Sequence, residues 1–209
     1  MIIDVGGKKA GGHCGWRDGG IDARPVAQCR AAILEMRAAS MQLRLGASEA
    51  DSLVVQGNIA RTYSSLGRHE DALRMSRDMY SGFVKLRGED HEGSLGAACN
   101  YAVSLFKLEG FDEAKSLMHK TIPVARRILG ESNDLTLRMR PTYAAALANN
   151  PGVTLDDLRE AVTTLEDTER IARRVLGCEH PTTTGIEGEL EDARVALRAR
   201  ETPPPPATE

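Results

Sequence analysis

Glycine returns at one fixed interval in this chain. Gly46, Gly88 and Gly130 stand 42 residues apart, and Gly177 follows 47 residues later. Ala60, Ala102 and Ala144 keep the same step, as do Asn58 with Asn100 and Ala72 with Ala114. A period of this size marks a stack of one supersecondary unit, in which each copy buries the face its neighbour cannot bury alone. The fold is thereby restricted to a solenoid or a similar array, whose long surfaces serve binding more often than chemistry.

Inside each period the apolar pattern is helical. Leu53, Ile59, Ala60, Tyr63 and Leu66 share one face and predict a helix over 52–66. Gly67 breaks it, and Ala72, Leu73, Met75, Met79 and Phe83 carry a second helix over 69–86. The next period repeats the pair: Leu95, Tyr101, Ala102 and Leu105 on the first helix, a break at Glu109 and Gly110, then a helix over 111–129. Pro123 falls inside that last helix. It removes one backbone donor and crowds the carbonyl of His119, which predicts a kink. The third period has helices over 135–149 and 155–175, and the loop 150–153 supplies its five extra residues. Thr154 and Asp157 are spaced as a capping box at the start of the second of these. Pro181 opens a last helix ending near Ala199, with Glu189, Glu191, Asp192, Arg194 and Arg198 as a charged outer face. A polar final helix suits the end of a stack.

Toward the N-terminus, residues 1–20 hold seven glycines and no periodicity, which predicts disorder. Pro25 opens a helix with Val26, Cys29, Ile33, Met36 and Ser40 on one face, running to Leu45 and capped by Gly46. The expected organisation is a glycine-rich segment over 1–20, a solenoid over 21–200 and a proline-rich tail over 201–209. The solenoid divides into a partial unit over 21–46, units over 47–88, 89–130 and 131–177, and a terminal helix over 178–200. The fold class is all-α: a right-handed superhelix of antiparallel helix pairs.

Charge and composition remove several function classes. The net charge of −3 and only eight aromatic residues argue against nucleic acid and anionic membrane as partners. The longest apolar run, 143–148, is far below the roughly 20 residues of a membrane span. Cys14, Cys29, Cys99 and Cys178 form no Cys-x-x-Cys pair, so neither a zinc ribbon nor a disulfide framework is expected. The setting expected is reducing and cytoplasmic. His13 with Cys14, and Cys178 with His180, offer two ligands each where a structural zinc takes four. Lys8 and Lys9 follow Gly6 and Gly7, but no Ser or Thr follows them, so the phosphate-loop spacing fails. No Gly-x-Ser-x-Gly elbow is present. Neither enzyme activity, cofactor nor metal is expected.

The turn segments carry a family likeness. Leu176-Gly177-Cys178-Glu179-His180-Pro181-Thr182-Thr183 resembles the inter-repeat turn Leu-Gly-x-x-His-Pro-x-Thr of tetratricopeptide repeats in their long, kinesin-light-chain-like form. Weaker copies begin at Leu129 and Gly88. Asn58-Ile59-Ala60 and Asn100-Tyr101-Ala102 are similar to that family's Asn-Leu-Ala, while Thr142-Tyr143-Ala144 departs from it. Gly67 to Ala72 and Phe111 to Ala114 are similar to its Gly-x-x-x-Glu-Ala turn. The resemblance spans about residues 23–200. It implies a helical solenoid that binds other proteins, with the first helix of each pair lining a concave surface. The turn histidines His91 and His180 would be structural.

On that reading the concave face carries Val54, Gly57, Asn58, Arg61 and Ser65, then Gly96, Cys99, Asn100, Val103 and Lys107, then Arg138, Pro141, Thr142, Ala145 and Asn149. An asparagine amide can donate to a carbonyl and accept from an N–H, and so hold an extended backbone without reading its side chains. Arg61, Lys107 and Arg138 would add cations for acidic groups. The candidate peptide-binding residues are therefore Asn58, Arg61, Asn100, Lys107 and Arg138, in a non-catalytic scaffold that grips a peptide or helix of a partner protein. Two other classes stand beside it: a self-assembling homo-oligomer or fragmentary array, and an accessory domain of a larger enzyme or regulatory protein.

Overall fold

The computed structural model describes residues 48–201. The segment 1–20, the partial unit 21–46 with its expected helix and Gly46, and the tail 202–209 lie outside the described residues. Within them the chain forms seven α-helices and no strand: α1 (Glu49–Ser65), α2 (His69–Arg87), α3 (Glu92–Lys107), α4 (Phe111–Leu129), α5 (Asp134–Ala148), α6 (Leu155–Leu176) and α7 (Pro181–Glu201).

Local chemistry sets the helix ends. Ser48 and Asp51 form a full capping box on α1, and Thr154 and Asp157 form one on α6, with aspartate serving where glutamate is usual. The first helices of later pairs are capped at one recurring position. His91 Nδ1 accepts from the Gly93 N–H at 3.0 Å, Asn133 Oδ1 from Leu135 N–H at 2.9 Å, and His180 Nδ1 from Thr182 N–H at 3.2 Å. Histidine here satisfies a backbone donor left over at a helix start. The periodic glycines explain themselves in the backbone: Gly88, Gly130 and Gly177 have φ of 85°, 90° and 89° with ψ near 165°, a region open essentially to glycine alone.

α4 continues through Pro123 as one helix, and α5 carries a second internal proline, Pro141. The last helix reaches Glu201, two residues beyond the expected end near Ala199.

Each helix packs antiparallel on the next, and in addition α1, α3, α5 and α7 touch one another in succession. The backbones of the second helices α2, α4 and α6 stay apart, and α4 reaches α6 only through long side chains such as Lys115 to Asp157 at 2.6 Å. First helices that converge while second helices spread put the concave side of the stack on the first helices. One apolar cluster runs from α3 to α7 around Leu95, Met118, Leu137, Met139, Leu147 and Leu165. The α1–α2 pair contributes two smaller clusters, around Ile59, Tyr63 and Ala72 and around Leu53, Met79 and Phe83. Within pairs, Tyr101 donates to Glu113 at 2.6 Å and Tyr143 to Glu160 at 2.7 Å, the same bond one period apart.

Candidate functional site

Three first helices enclose a cavity of about 310 Å³ on the concave side. α3 supplies Cys99, Asn100, Val103 and Phe106, α5 supplies Leu137, Arg138, Pro141, Thr142 and Ala145, and α7 supplies Pro181, Thr182, Gly185, Ile186 and Glu189. Small residues at the helix crossings let the walls approach, and the floor is apolar. Its polar atoms sit on a few side chains, as in pockets where a handful of placed groups fix a ligand's orientation. Cys99 is buried. Burial pushes its thiol up, and Arg138 pulls the other way.

A second cleft of about 310 Å³ opens between α1 and α3, lined by Ala60, Arg61, Ser64, Ser65, Ser76, Asn100, Val103, Ser104 and Lys107. Asn100 and Val103 belong to both clefts. Of the five candidate residues, Asn100 and Arg138 line the first cleft, and Arg61, Asn100 and Lys107 the second. Asn58 lines neither. Its Oδ1 accepts from the Arg61 guanidinium one turn along α1, which orients that cation instead of leaving the carbonyl for a ligand. Asn100 makes no side-chain hydrogen bond among the described residues. Arg138 pairs with Asp134 at 3.5 Å and remains half exposed. At the position where asparagine is replaced, the Thr142 hydroxyl turns back to the Arg138 carbonyl at 3.0 Å.

Three expected groove positions, Gly57, Cys99 and Pro141, are buried: Cys99 and Pro141 form part of the lining of the first cleft, and Gly57 lies against α2. At Gly57 a Cβ would stand 2.4 Å from Met79 Sδ, so this glycine admits a side chain of α2 and not a ligand.

α7 overturns one sequence expectation. Glu189, assigned to the charged outer face, lines the apolar cleft. The signal was present: Glu189 stands 47 residues after Thr142, in the register of Asn58 and Asn100. Phe106, Leu137 and Ile186 were likewise missed as cleft residues, since an apolar residue on a helix reads as core until the helices are placed. Among the described residues no group of three or more His, Cys, Asp or Glu is arranged to hold a metal. No described helix is long and apolar enough to cross a membrane.

A family model for the tetratricopeptide repeat matches residues 53–92 and 94–134. Among solved structures, a Podosopora anserina protein described by its kinesin light chain, nearly identical TPR-like repeats is similar at 20% identity. Its TM-score is 0.66, over 86% of this chain and 83% of that one. A single-substitution variant of it gives a TM-score of 0.67 at the same identity and coverage. BtubC (BKLC) from P. vanneervenii is similar at 12% identity with a TM-score of 0.58, over 90% of this chain and 81% of that one. No curated protein sequence matches. Tetratricopeptide repeats generally mediate protein–protein interaction, and the fold is typically non-catalytic. Residues 53–134 thus match tetratricopeptide repeats, and the described chain has an all-α, TPR-like solenoid fold similar to that of the kinesin-light-chain-like structures.

Proposed function

We propose that this chain is a non-catalytic scaffold whose concave face holds an extended peptide or helix of a partner protein. The observation that supports this most is the apolar cavity between α3, α5 and α7, rimmed by Asn100, Arg138 and Thr142. An apolar anchor of the partner would fill the cavity and supply most of the binding energy, as central hot spots do. Asn100, at the junction of the two clefts, would hold the backbone between them, while Arg61, Lys107 and Arg138 would face acidic groups. Asn58 acts in this scheme through Arg61, as a residue that positions the guanidinium.

Peptide display against the full chain, followed by titration of the selected peptide, tests this reading. Asn100→Ala should weaken binding about tenfold, the scale of a lost backbone pair of hydrogen bonds, with the helical circular dichroism unchanged. The same affinity in a fully folded Asn100→Ala variant would remove the groove assignment. The cytoplasm as its location belongs to the same proposal, and fractionation of cells expressing the tagged full chain tests it.

A further inference from the structure

Each second helix buries one stripe of side chains. On α2 it holds Ala72, Ser76, Met79 and Phe83. The same intervals of four, three and four residues return on α4 from Ala114 and on α6 from Ala161. Such intervals keep to one helix face. The stripe packs on the first helix that follows it: Ser76 and Ser104 bond each other at 2.9 Å, and Met79 and Phe83 cluster with Ala97.

The receiving positions recur as well. Ala97 and Ser104 on α3 match Met139 and Ala146 on α5 and Ile186 and Ala193 on α7, and all of them are buried. The same register falls on Val55 and Thr62 of α1, and both are only half-buried. Among the described residues α1 is the one first helix that follows no second helix. In a solenoid such a face is covered by a neighbouring unit of the same kind.

The stripes of α2, α4 and α6 are already buried within the chain, so the described residues of a second copy have none to offer. One unused stripe remains in the sequence. Cys29, Ile33, Met36 and Ser40 keep the intervals of four, three and four, 43 residues before their counterparts on α2. At a strict step of 42 the stripe would hold Arg30 and Arg37 instead, and arginine is among the residues that packed faces exclude. The additional residue falls between Ser40 and Gly46, since Gly46 itself keeps the step to Gly88. Residues 46–48 alone separate this segment from the start of α1 at Glu49, a tether that delivers it to α1 of its own chain.

We propose that residues 25–45 lie antiparallel on α1 as the second helix of an incomplete pair, with Ile33 against Thr62 and Met36 against Val55. The chain thereby covers the open face of α1 with its own segment and removes that face as a surface for a second copy. The inference does not depend on the groove reading. Methyl NMR on the full chain tests it. Nuclear Overhauser contacts should join the Ile33 and Met36 methyls to those of Val55 and Thr62. In a mixture of methyl-labelled and unlabelled chains, isotope-filtered spectra should show these contacts within chains only. Ile33→Asp should speed amide exchange at Val55 and Ile59 about tenfold, and Val55→Asp should do the same across residues 30–38. Ala38→Asp, opposite the stripe, should leave exchange at Val55 and Ile59 within about twofold of the wild type. Contacts that run between chains would make a second copy the occupant and overturn the proposal. So would Ile33 contacts to Val103 or Ile186 in the groove, the absence of any contact to α1, or equal effects of Ile33→Asp and Ala38→Asp on α1 exchange.

Discussion

From α3 to α7 one apolar cluster runs without a break, whereas the α1–α2 pair holds its apolar residues in two small groups. The groove follows the same division. The cleft framed by α3, α5 and α7 carries Phe106, Leu137 and Ile186 in its lining, whereas the one framed by α1 and α3 is lined mainly by Ser, Asn, Arg and Lys side chains. In a solenoid the stability of each unit is its own plus that of its interfaces. A region with interfaces on both sides can therefore afford an apolar cavity on its surface. The α1–α2 pair, at the edge of the described stack, borders a cleft lined mainly by serines with Asn100, Arg61 and Lys107. Close approach serves the two regions differently as well. Gly57 lets Met79 reach into the α1–α2 pair, while in the continuous cluster Leu137 and Met139 are fully enclosed.

The difference is open to attack with substitutions. Leu137→Ala empties a fully buried site and should cost about 3 kcal/mol in urea unfolding, whereas Met75→Ala, half-buried on α2, should cost about 1 kcal/mol. Equal costs would remove the distinction between the regions. Gly130→Ala forces a side chain into a glycine backbone region and should cost about 2 kcal/mol. Gly88→Ala should match it, because φ is nearly the same at both turns. A large disparity there would mean that turns, and not the core, separate the two regions.

Tyr143→Phe removes a donor to the Glu160 carboxylate and should cost about 1 kcal/mol, with Tyr101→Phe similar. Burial, and then the bond to Glu113, pushes the Tyr101 hydroxyl up to about 12, and burial with Glu160 pushes Tyr143 higher still. A value raised by folding means that this stability is complete below about pH 10, the unfolded tyrosine value. It is lost as pH rises toward the folded value, and ultraviolet titration of tyrosinate reads the window directly. The smallest effect is expected at the Lys115–Asp157 pair, 2.6 Å apart between α4 and α6. Lys115→Met should cost about 0.5 kcal/mol. The bond from Lys115, then those from Thr154, holds the Asp157 carboxyl at about 2. This contribution is present above about pH 4 and fades as pH falls toward the folded value. Stability of the wild type and Lys115→Met should therefore converge near pH 2.

Much of the architecture was legible because it is periodic. The glycines at 88, 130 and 177 occupy one backbone conformation each, and no other residue type would repeat there. His91 and His180 read as turn residues because the turn motif placed them, and each caps the helix that follows. Helix faces gave way where helices meet. Gly57, Cys99 and Pro141 read as open groove positions, yet Met79 of α2 fills the space at Gly57, and Cys99 and Pro141 are buried in the wall of the cleft that α3, α5 and α7 form together. A single-helix pattern contains no information about such neighbours. Glu189 was misplaced for the opposite reason: α7 read as the polar end of the stack, and its register with Asn58, Asn100 and Thr142 was not followed into the fourth period.

The claim that the concave face binds a partner is tested most directly by mapping a displayed peptide onto the full chain by amide NMR, with Val103→Glu as the disrupting change at the junction of the two clefts. The account predicts shifts on α3, α5 and α7 around Asn100, Val103, Ala145 and Ile186, and at least a tenfold loss of affinity in a Val103→Glu chain that keeps its helical content. A peptide whose shifts fall on α2, α4 and α6, with affinity untouched by Val103→Glu, would contradict it.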